Sequence, residues 1–296
     1  MCIRFGTASW TDKGLIEHGG FYPEGMTDPE ELLKFYSSVF NVVEVDSSYY
    51  AMPSKRNSEL WVERTPDGFA FDVKAYAMFT NHPAETAQLP RRIREMLPDD
   101  VSRKPHVYMH DIPPMAMYVA WEMFEAALRP LHDACKLGAV LLQFPKWFVN
   151  SPANRDHIVR CRKSIPDYRI AVEFRQDSWM DSEHIEKTIE FLAENEIAYI
   201  TVDGPQQSTE RTPPVCAVTS NALAVVKFHG RDAETWEKRR SADNQPGYIY
   251  SEEELAEWVC PIRQMAEQAQ EVHVIFNNKS YNYAQTNSRQ MMELLR

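Results

Sequence analysis

The chain has 296 residues, of which 44% are hydrophobic and 25% charged, a composition typical of a soluble globular protein with a substantial core. Its 43 acidic residues outnumber its 32 basic ones, and the formal net charge of -11 argues against dedicated binding of nucleic acid or of anionic membranes. A local basic pocket is still compatible with this balance. The five cysteines are scattered and form no Cys-x-x-Cys pair, so we expect reduced thiols and no structural zinc site.

The N-terminus carries no pattern of a signal peptide, because an apparent strand begins almost at once without a charged segment followed by an apolar stretch. No run approaches the roughly 20 apolar residues that a membrane-spanning helix needs. We therefore expect a cytoplasmic protein with no membrane partner.

Short apolar runs that alternate with polar residues predict eight strands. They lie at residues 3–8, 42–46, 69–74, 139–144, 169–175, 199–203, 223–229 and 272–276. Helical patterns separate most of them. Asp28-Pro29-Glu30-Glu31 has the cap, the proline and the acidic first turn of a helix start, and Ser251-Glu252-Glu253-Glu254 is a capping box. Pro261 should kink or split the helix that this box opens, and the connection 204–221 has no helical period, so one helix is expected to be missing there.

The alternation of strands and helices predicts parallel pairing through right-handed crossovers, and eight repeats predict a closed (β/α)8 TIM-type barrel. An open doubly wound sheet is the alternative, but no glycine-rich phosphate loop follows any strand. The connection between the third and fourth strands is unusually long and is interrupted by prolines, and its crossover helix is predicted at 121–135. We interpret residues 81–117 as an inserted segment over a single barrel domain that spans residues 1–296.

Polar residues follow the opposite parity from the apolar ones along these strands, which predicts that they face the barrel lumen near its C-terminal mouth. The predicted inward set is Glu44, Asp46, Asp72, Lys74, Gln143, Glu173, Arg175, Thr201, Asp203, Lys227, His229, Arg231 and Asn277. Its acids and bases nearly balance, which favours a preorganised polar pocket over a metal cage. A salt-bridge network that merely plugs the barrel is the structural alternative. No metal ligand is assigned, and the cofactor is unknown.

Several chemistries are compatible with this set. Lys74, Arg175, Lys227, His229 and Arg231 are suited to a phosphate or carboxylate, and Glu44, Glu173 and Asp203 to sugar hydroxyls or to acid–base roles. A glycosidase pair of Glu44 and Glu173 is geometrically possible but has no support in the sequence. Glu173, Asp203 and His229 form an alternative metal set. The tyrosines at 49, 50, 281 and 283 fit either ordinary loop packing or stacking on a sugar or base.

The strand ends resemble the YecE-like family, catalogued as domain of unknown function 72. The matching stretches are Phe5-Gly6-Thr7-Ala8-Ser9-Trp10, Phe21-Tyr22-Pro23, Val43-Glu44-Val45-Asp46-Ser47-Ser48-Tyr49-Tyr50, Phe71-Asp72-Val73-Lys74, Leu142-Gln143-Phe144-Pro145, Val172-Glu173-Phe174-Arg175, Phe228-His229-Gly230-Arg231 and Phe276-Asn277-Asn278. The resemblance implies a (β/α)8 barrel with no established activity. Barrel relatives of the endonuclease IV and xylose isomerase kind make a metal-assisted reaction conceivable by fold analogy alone. The chain departs from the family at Asp46, where Asn is usual, at Lys227, where Arg is usual, and at Gln176-Asp177, which replaces a common His-Pro.

Our leading hypothesis is a barrel that binds a small anionic or sugar-like ligand at the strand C-termini, and whether it is an enzyme is left open. If it is a hydrolase or lyase, Glu173 and His229 are the catalytic candidates. The predicted ligand-binding residues are Glu44, Asp46, Lys74, Gln143, Arg175, Asp203, Lys227, Arg231, Asn277 and Asn278. One alternative is a metal-dependent phosphodiesterase that acts on nucleic acid. The other is a non-catalytic interaction protein that uses the 81–117 insertion.

Overall fold

The strands and helices come from a computed structural model that describes residues 2–18, 20–206, 213–233, 247–278 and 280–296. Its strands, in chain order, are β1 (Cys2–Ala8), β2 (Val42–Val45), β3 (Ala70–Lys74), β4 (Ala84–Glu85), β5 (His106–Val107), β6 (Leu137–Phe144), β7 (Ile170–Phe174), β8 (Ile197–Asp203), β9 (Leu223–Phe228) and β10 (Glu271–Phe276). All except β4 and β5 join one closed barrel of parallel strands in the order β1-β10-β9-β8-β7-β6-β3-β2. The predicted (β/α)8 barrel is confirmed.

Helices cover the outside of this barrel. In the described residues they are α1 (Lys13–His18), α2 (Pro29–Val39), α3 (Ser47–Tyr50), α4 (Lys55–Glu63), α5 (Arg91–Arg94), α6 (Asp99–Ser102), α7 (Pro114–Asp133), α8 (Pro152–Ser164), α9 (Ile185–Glu194), α10 (Glu252–Ala256), α11 (Val259–Gln268) and α12 (Tyr283–Leu294). Within the described ranges, none of these helices is long and apolar enough to cross a bilayer.

Helix α2 is an example of how local sequence positions an element. The side chain of Asp28 accepts hydrogen bonds from the backbone N–H groups of Glu30 and Glu31, as the N-cap pattern predicts. The hydroxyl of Tyr36, buried on the inner face of the helix, accepts from the backbone N–H of Thr7 and donates to the carbonyl of Val42. One side chain therefore joins the helix to both β1 and β2.

The helix predicted from the Ser251 capping box is split, as Pro261 suggested: α10 ends at Ala256 and α11 begins at Val259. Of the connection that was predicted to lack a helix, residues 207–212 lie outside the described part of the chain. Residues 213–221 contain no helix.

The inserted segment forms a short antiparallel pair, β4 with β5, together with α5 and α6. Its buried side chains, among them Ile93 and Val107, belong to the same hydrophobic cluster as Phe124 of α7. The predicted start of the crossover helix at 121 is wrong, because α7 begins at Pro114 and includes the last residues of the expected insertion. Proline is well accommodated in the first turn of a helix, so the prolines at 113 and 114 begin this helix rather than interrupt the chain.

The lumen is less polar than strand parity predicted. Below the mouth it is filled by two apolar clusters, which comprise Ala139, Leu141, Ala171, Ala198, Ile200, Val202, Leu223 and Val225, and Ala8, Val42, Ala70 and Ile275. On β8 the inward residues are thus Ile200 and Val202. Because neighbouring residues of a strand point to opposite faces, Thr201 and Asp203 point out of the barrel, and their assignment to the lumen is wrong.

A second polar network occupies the N-terminal end of the barrel and was not predicted. His273 and Asp72 are both fully buried, with 2.8 Å between Nδ1 and Oδ2. Glu271 accepts from Arg4 and from Arg169 at 2.8 Å each. Asp72 is therefore inward, as parity predicted, but its partner lies in this network and not at the mouth.

Candidate ligand-binding site at the barrel mouth

Three fully buried charges form the centre of the site. Lys227 on β9 places its Nζ atom 2.8 Å from Oε2 of Glu44 on β2 and 2.8 Å from Oε2 of Glu173 on β7. One ammonium therefore bridges two carboxylates that come from strands separated by two others in the barrel. Because both contact the same Nζ atom, the Oε2 atoms of Glu44 and Glu173 lie close to each other.

Glu173 has the larger set of partners. Its Oε1 atom accepts a hydrogen bond of 2.6 Å from Nε2 of Gln143, pairs with the guanidinium of Arg175, and lies 3.5 Å from Nε2 of His229. Parity predicted all of these residues as inward, and the structure brings them together around one carboxylate.

The environments of the two carboxylates separate their pKa values. Burial raises the pKa of both, but the cations Arg175 and Lys227 outweigh it at Glu173 and hold that pKa well below its usual range. At Glu44, burial and the neighbouring carboxylate of Asp46 prevail over Lys227 and raise the pKa to about 7. Near neutral pH the site thus contains one permanent carboxylate and one carboxyl that gains and loses a proton.

His229 is held as a neutral imidazole, because burial and the adjacent Arg175 lower its pKa well below the usual value. Its Nε2 atom lies 3.2 Å from Nη2 of Arg175, and its Nδ1 atom lies 3.2 Å from the side-chain amide of Asn277. A guanidinium only donates hydrogen bonds, so Nε2 of the neutral ring accepts from Arg175.

Lys74 and Asp46 form an outer ion pair of 3.3 Å, and the side chains of Lys74 and Arg175 each keep 12% of their surface exposed. The Nζ atom of Lys74 also lies 5.2 Å from the ring centroid of Tyr49, in a cation–π contact. The mouth therefore presents two cations and the 16% exposed carboxylate of Asp46 to solvent above the buried carboxylates.

Two functional candidates at this rim were missed by sequence reasoning. His82 lies in the inserted segment, yet its ring centroid is 5.2 Å from that of Tyr49, the ring that Lys74 contacts. Burial, Lys74 and Arg175 lower its pKa to about 4. Trp147 follows β6 and is 49% exposed. No strand pattern marks either residue, and the only signal available for Trp147 is the Gln143-Phe144-Pro145 strand end, which lies two residues before it.

The side chains of Asp203, Arg231 and Asn278, which were predicted to bind the ligand, contact residues outside the barrel lumen instead. The carboxylate of Asp203 accepts from Nε1 of Trp258 at 2.7 Å and from the hydroxyl of Tyr250 at 2.9 Å. Arg231 binds the same carboxylate at 2.8 Å, and also Glu257 on the outer side.

Asn278 is the third of these residues. It donates to the carbonyl of Tyr248 and to Asn287 of α12. Its position is a consequence of parity, because Asn277 faces the lumen and the next residue must face outward. Thr201, also predicted as inward, donates to the carbonyl of Val215.

The outward position of Asp203 also bears on the metal site suggested by the sequence, which combined Glu173, Asp203 and His229. Glu173 and His229 face the lumen, but Asp203 is directed toward Trp258, so these three side chains do not converge. In the ranges that the structure describes, no three His, Cys, Asp or Glu side chains are grouped in a way that could hold a metal ion.

Comparison with known proteins supports the resemblance seen at the strand ends. The model of a family described as "Protein of unknown function DUF72" matches residues 4–296. The UPF0759 protein YunF of Bacillus subtilis (strain 168) is 31% identical over 297 residues, which cover 99% of this chain and 94% of that protein.

Solved structures of DUF72 family proteins have the same fold as this chain. A DUF72 family protein from Enterococcus faecalis V583 superimposes with a TM-score of 0.76 at 28% identity, covering 99% of this chain and 97% of that one. A DUF72 family protein from Thermotoga maritima MSB8 gives a TM-score of 0.75 at 28% identity and covers 100% and 99% of the two chains.

Proposed function

Because the chain belongs to the DUF72 family, whose members are of unknown function, we propose a function from its own mouth residues: it binds a small anionic or polyhydroxylated ligand at the C-terminal ends of the barrel strands. The observation that carries this proposal is the vertical order of charge. Lys74 and Arg175 are partly exposed at the mouth, as is Asp46, the partner of Lys74, whereas Glu44 and Glu173 are fully buried beneath them.

The charge count of the cluster supports an anion. Glu44, Asp46 and Glu173 are balanced by Lys74, Arg175 and Lys227 when every group is ionised. Because the pKa of Glu44 is about 7, protonation of this one carboxyl leaves a net positive charge in a site from which water is largely excluded. An anionic group then offsets that charge, and Gln143 and Asn277 supply amide groups for neighbouring hydroxyls.

Thermal denaturation in the presence of a panel of sugar phosphates, nucleotides and dicarboxylates tests this proposal. A ligand present at about 100 times its Kd stabilises the folded state by about 2.7 kcal/mol, which corresponds to a rise in Tm of roughly 4 °C for a chain of this size. We expect at least one anionic compound to produce such a shift in the wild type and none in Arg175→Met.

Arg169→Met is the matched control. Arg169 and Arg175 flank the two ends of β7, and each pairs with a glutamate, but Arg169 lies at the end of the barrel opposite the mouth. The ligand-induced shift should persist in Arg169→Met. Equal shifts in both variants, or no shift with any compound in the wild type, would refute the proposed site.

A second candidate is acid–base catalysis, as in a lyase or hydrolase, and the divergent pKa values of Glu44 and Glu173 favour it. Near neutral pH the carboxyl of Glu44, with a pKa of about 7, can both give up and take back a proton, while the low pKa values of Glu173 and His229 keep these two groups unprotonated as hydrogen-bond acceptors beside it. The ammonium of Lys227 lies between the two carboxylates, so a sugar ring cannot sit between these two oxygens as in a retaining glycosidase. Proton transfer is therefore better supported than glycosidic displacement.

The compounds that shift Tm are the substrates to assay, and both Glu44→Gln and Glu173→Gln should abolish turnover. Turnover that persists in both variants would exclude this second candidate.

A further inference from the structure

Four aromatic rings form a continuous arc along one side of the mouth. The ring centroids of Tyr50 and Tyr49 are 4.9 Å apart, those of Tyr49 and His82 are 5.2 Å apart, and those of His82 and Trp147 are 5.9 Å apart. Each successive pair meets edge to face. We call these four residues the aromatic arc. They follow β2, β3 and β6, which are neighbours in the barrel.

The aromatic arc borders the same space as the two mouth cations. The Nζ atom of Lys74 lies 5.2 Å from the ring centroid of Tyr49, which in turn lies 5.2 Å from that of His82. Lys74 and Arg175 both contribute to the lowered pKa of this imidazole. A group bound between these two cations would therefore have ring faces beside it.

The arc is held in place although its ends are open to solvent. Nε1 of Trp147 donates to the carbonyl of Asn81 at 3.2 Å, and Nδ1 of His82 lies 3.0 Å from the hydroxyl of Thr80. Asn81 adopts a left-handed conformation, with φ of 62°, that turns the chain between these two contacts. Tyr50 and Trp147 nevertheless remain 71% and 49% exposed. An exposed aromatic surface held by a hydrogen bond, such as that of Trp147, loses little further conformational entropy when a ligand covers it.

We propose that the aromatic arc is a subsite for the ring of a ligand whose anionic group is held by Lys74 and Arg175. The chemical class is a ring-bearing phosphate or carboxylate, which includes phosphorylated sugars and mononucleotides. This inference rests on the proposed anion site and adds to it the part of the ligand that lies outside the barrel. Aromatic side chains suit it because they present an apolar face to a sugar ring or to a base.

Calorimetric titration with inorganic phosphate, glucose 6-phosphate and adenosine monophosphate separates the two parts of the site. We expect at least one of the ring-bearing phosphates to bind about tenfold more tightly than inorganic phosphate, a gain within the range of a single stacking contact. Trp147→Ala should remove this gain and leave the affinity for inorganic phosphate within about twofold of the wild type. Tyr50→Ala tests the other end of the arc in the same way.

Tyr118→Ala is the control, because Tyr118 is 60% exposed on α7 and is not part of the arc. It should leave all three affinities unchanged. A gain confined to glucose 6-phosphate identifies a sugar subsite, and a gain confined to adenosine monophosphate identifies a base subsite.

If all three phosphates bind equally in the wild type, or if Trp147→Ala weakens all of them equally, the subsite is refuted and the anion site stands. If none binds in a way that Arg175→Met abolishes, the anion site is refuted and the subsite with it.

Discussion

The Nζ atom of Lys227 lies 2.8 Å from Glu173, and both side chains are fully buried in the barrel. Two charges with no access to water are favourable only as a pair, and here Glu44 completes the set on the other side of the ammonium. The two buried carboxylates at the centre of the mouth therefore share one ammonium.

Removal of that lysine should be strongly destabilising. Lys227→Met leaves Glu44 and Glu173 buried without the ammonium, and we expect the free energy of unfolding in urea at pH 8 to fall by about 3 to 5 kcal/mol. The double variant Lys227→Met/Glu44→Gln should recover part of this loss, because one uncompensated carboxylate is neutralised. If Lys227→Met alone is as stable as the wild type, the central role of Lys227 is contradicted.

Glu44→Gln should change the dependence of stability on pH. The pKa of Glu44 in the folded protein is about 7, above its ordinary value of 4.5. Stability from this group is therefore fully present below about pH 4.5 and is lost as the pH rises through 7. Glutamine cannot ionise, so between pH 5 and 8 the variant should gain up to about 3 kcal/mol relative to the wild type in urea denaturation.

Glu63→Gln, at an exposed position at the end of α4, controls for the loss of one negative charge. Its stability relative to the wild type should not vary between pH 5 and 8. An unchanged difference between the wild type and Glu44→Gln over that interval would show that Glu44 does not titrate there.

Strand parity located Glu44, Glu173, Lys227 and Arg175 correctly because each lies on a strand whose inward residues become polar only near the C-terminal end. It failed on β8, where the lumen side is apolar and Asp203 points outward to Trp258. A run such as Ile200-Thr201-Val202-Asp203 has the same alternation in either orientation, so the sequence alone cannot tell which parity faces the lumen.

The positions of residues outside the strands could not be predicted from the sequence, for a different reason. His82 and Trp147 come to the mouth through loop conformation, and the left-handed Asn81 that positions them has no unique sequence signal. The pairing of Asp72 with His273 joins residues far apart in the chain and depends on the barrel register.

The buried pair of Asp72 and His273 is next to Gly138, a position where only glycine fits. A Cβ atom at Gly138 would lie 2.3 Å from Oδ1 of Asp72 and 3.0 Å from Cε1 of His273. Gly138→Ala must therefore displace a buried ion pair, and we expect a loss of about 1 to 3 kcal/mol in the free energy of unfolding. At Gly204 the nearest atom would be 3.6 Å away, so Gly204→Ala is the matched control and should be nearly neutral. Equal effects of the two substitutions would contradict the packing at Gly138.

Asp203→Asn tests the outward position of this residue. The carboxylate accepts from Trp258, Tyr250 and Arg231, and an amide turns one of its acceptors into a donor. We expect a loss of about 2 to 4 kcal/mol in stability by urea denaturation, with the affinity for any mouth ligand unchanged by calorimetry. If Asp203→Asn folds with wild-type stability but no longer binds the ligand, Asp203 is part of the binding site and the outward assignment is contradicted.

The most direct measurement of the central claim is the position of a heavy anion in a crystal. Anomalous diffraction from crystals soaked in selenate or bromide locates bound anions without any assumption about the natural ligand. The strongest anomalous peak should lie between Lys74 and Arg175, beside the ring of Tyr49, and should disappear in Arg175→Met. Strong peaks elsewhere on the protein with none at these two cations would contradict an anion-binding mouth.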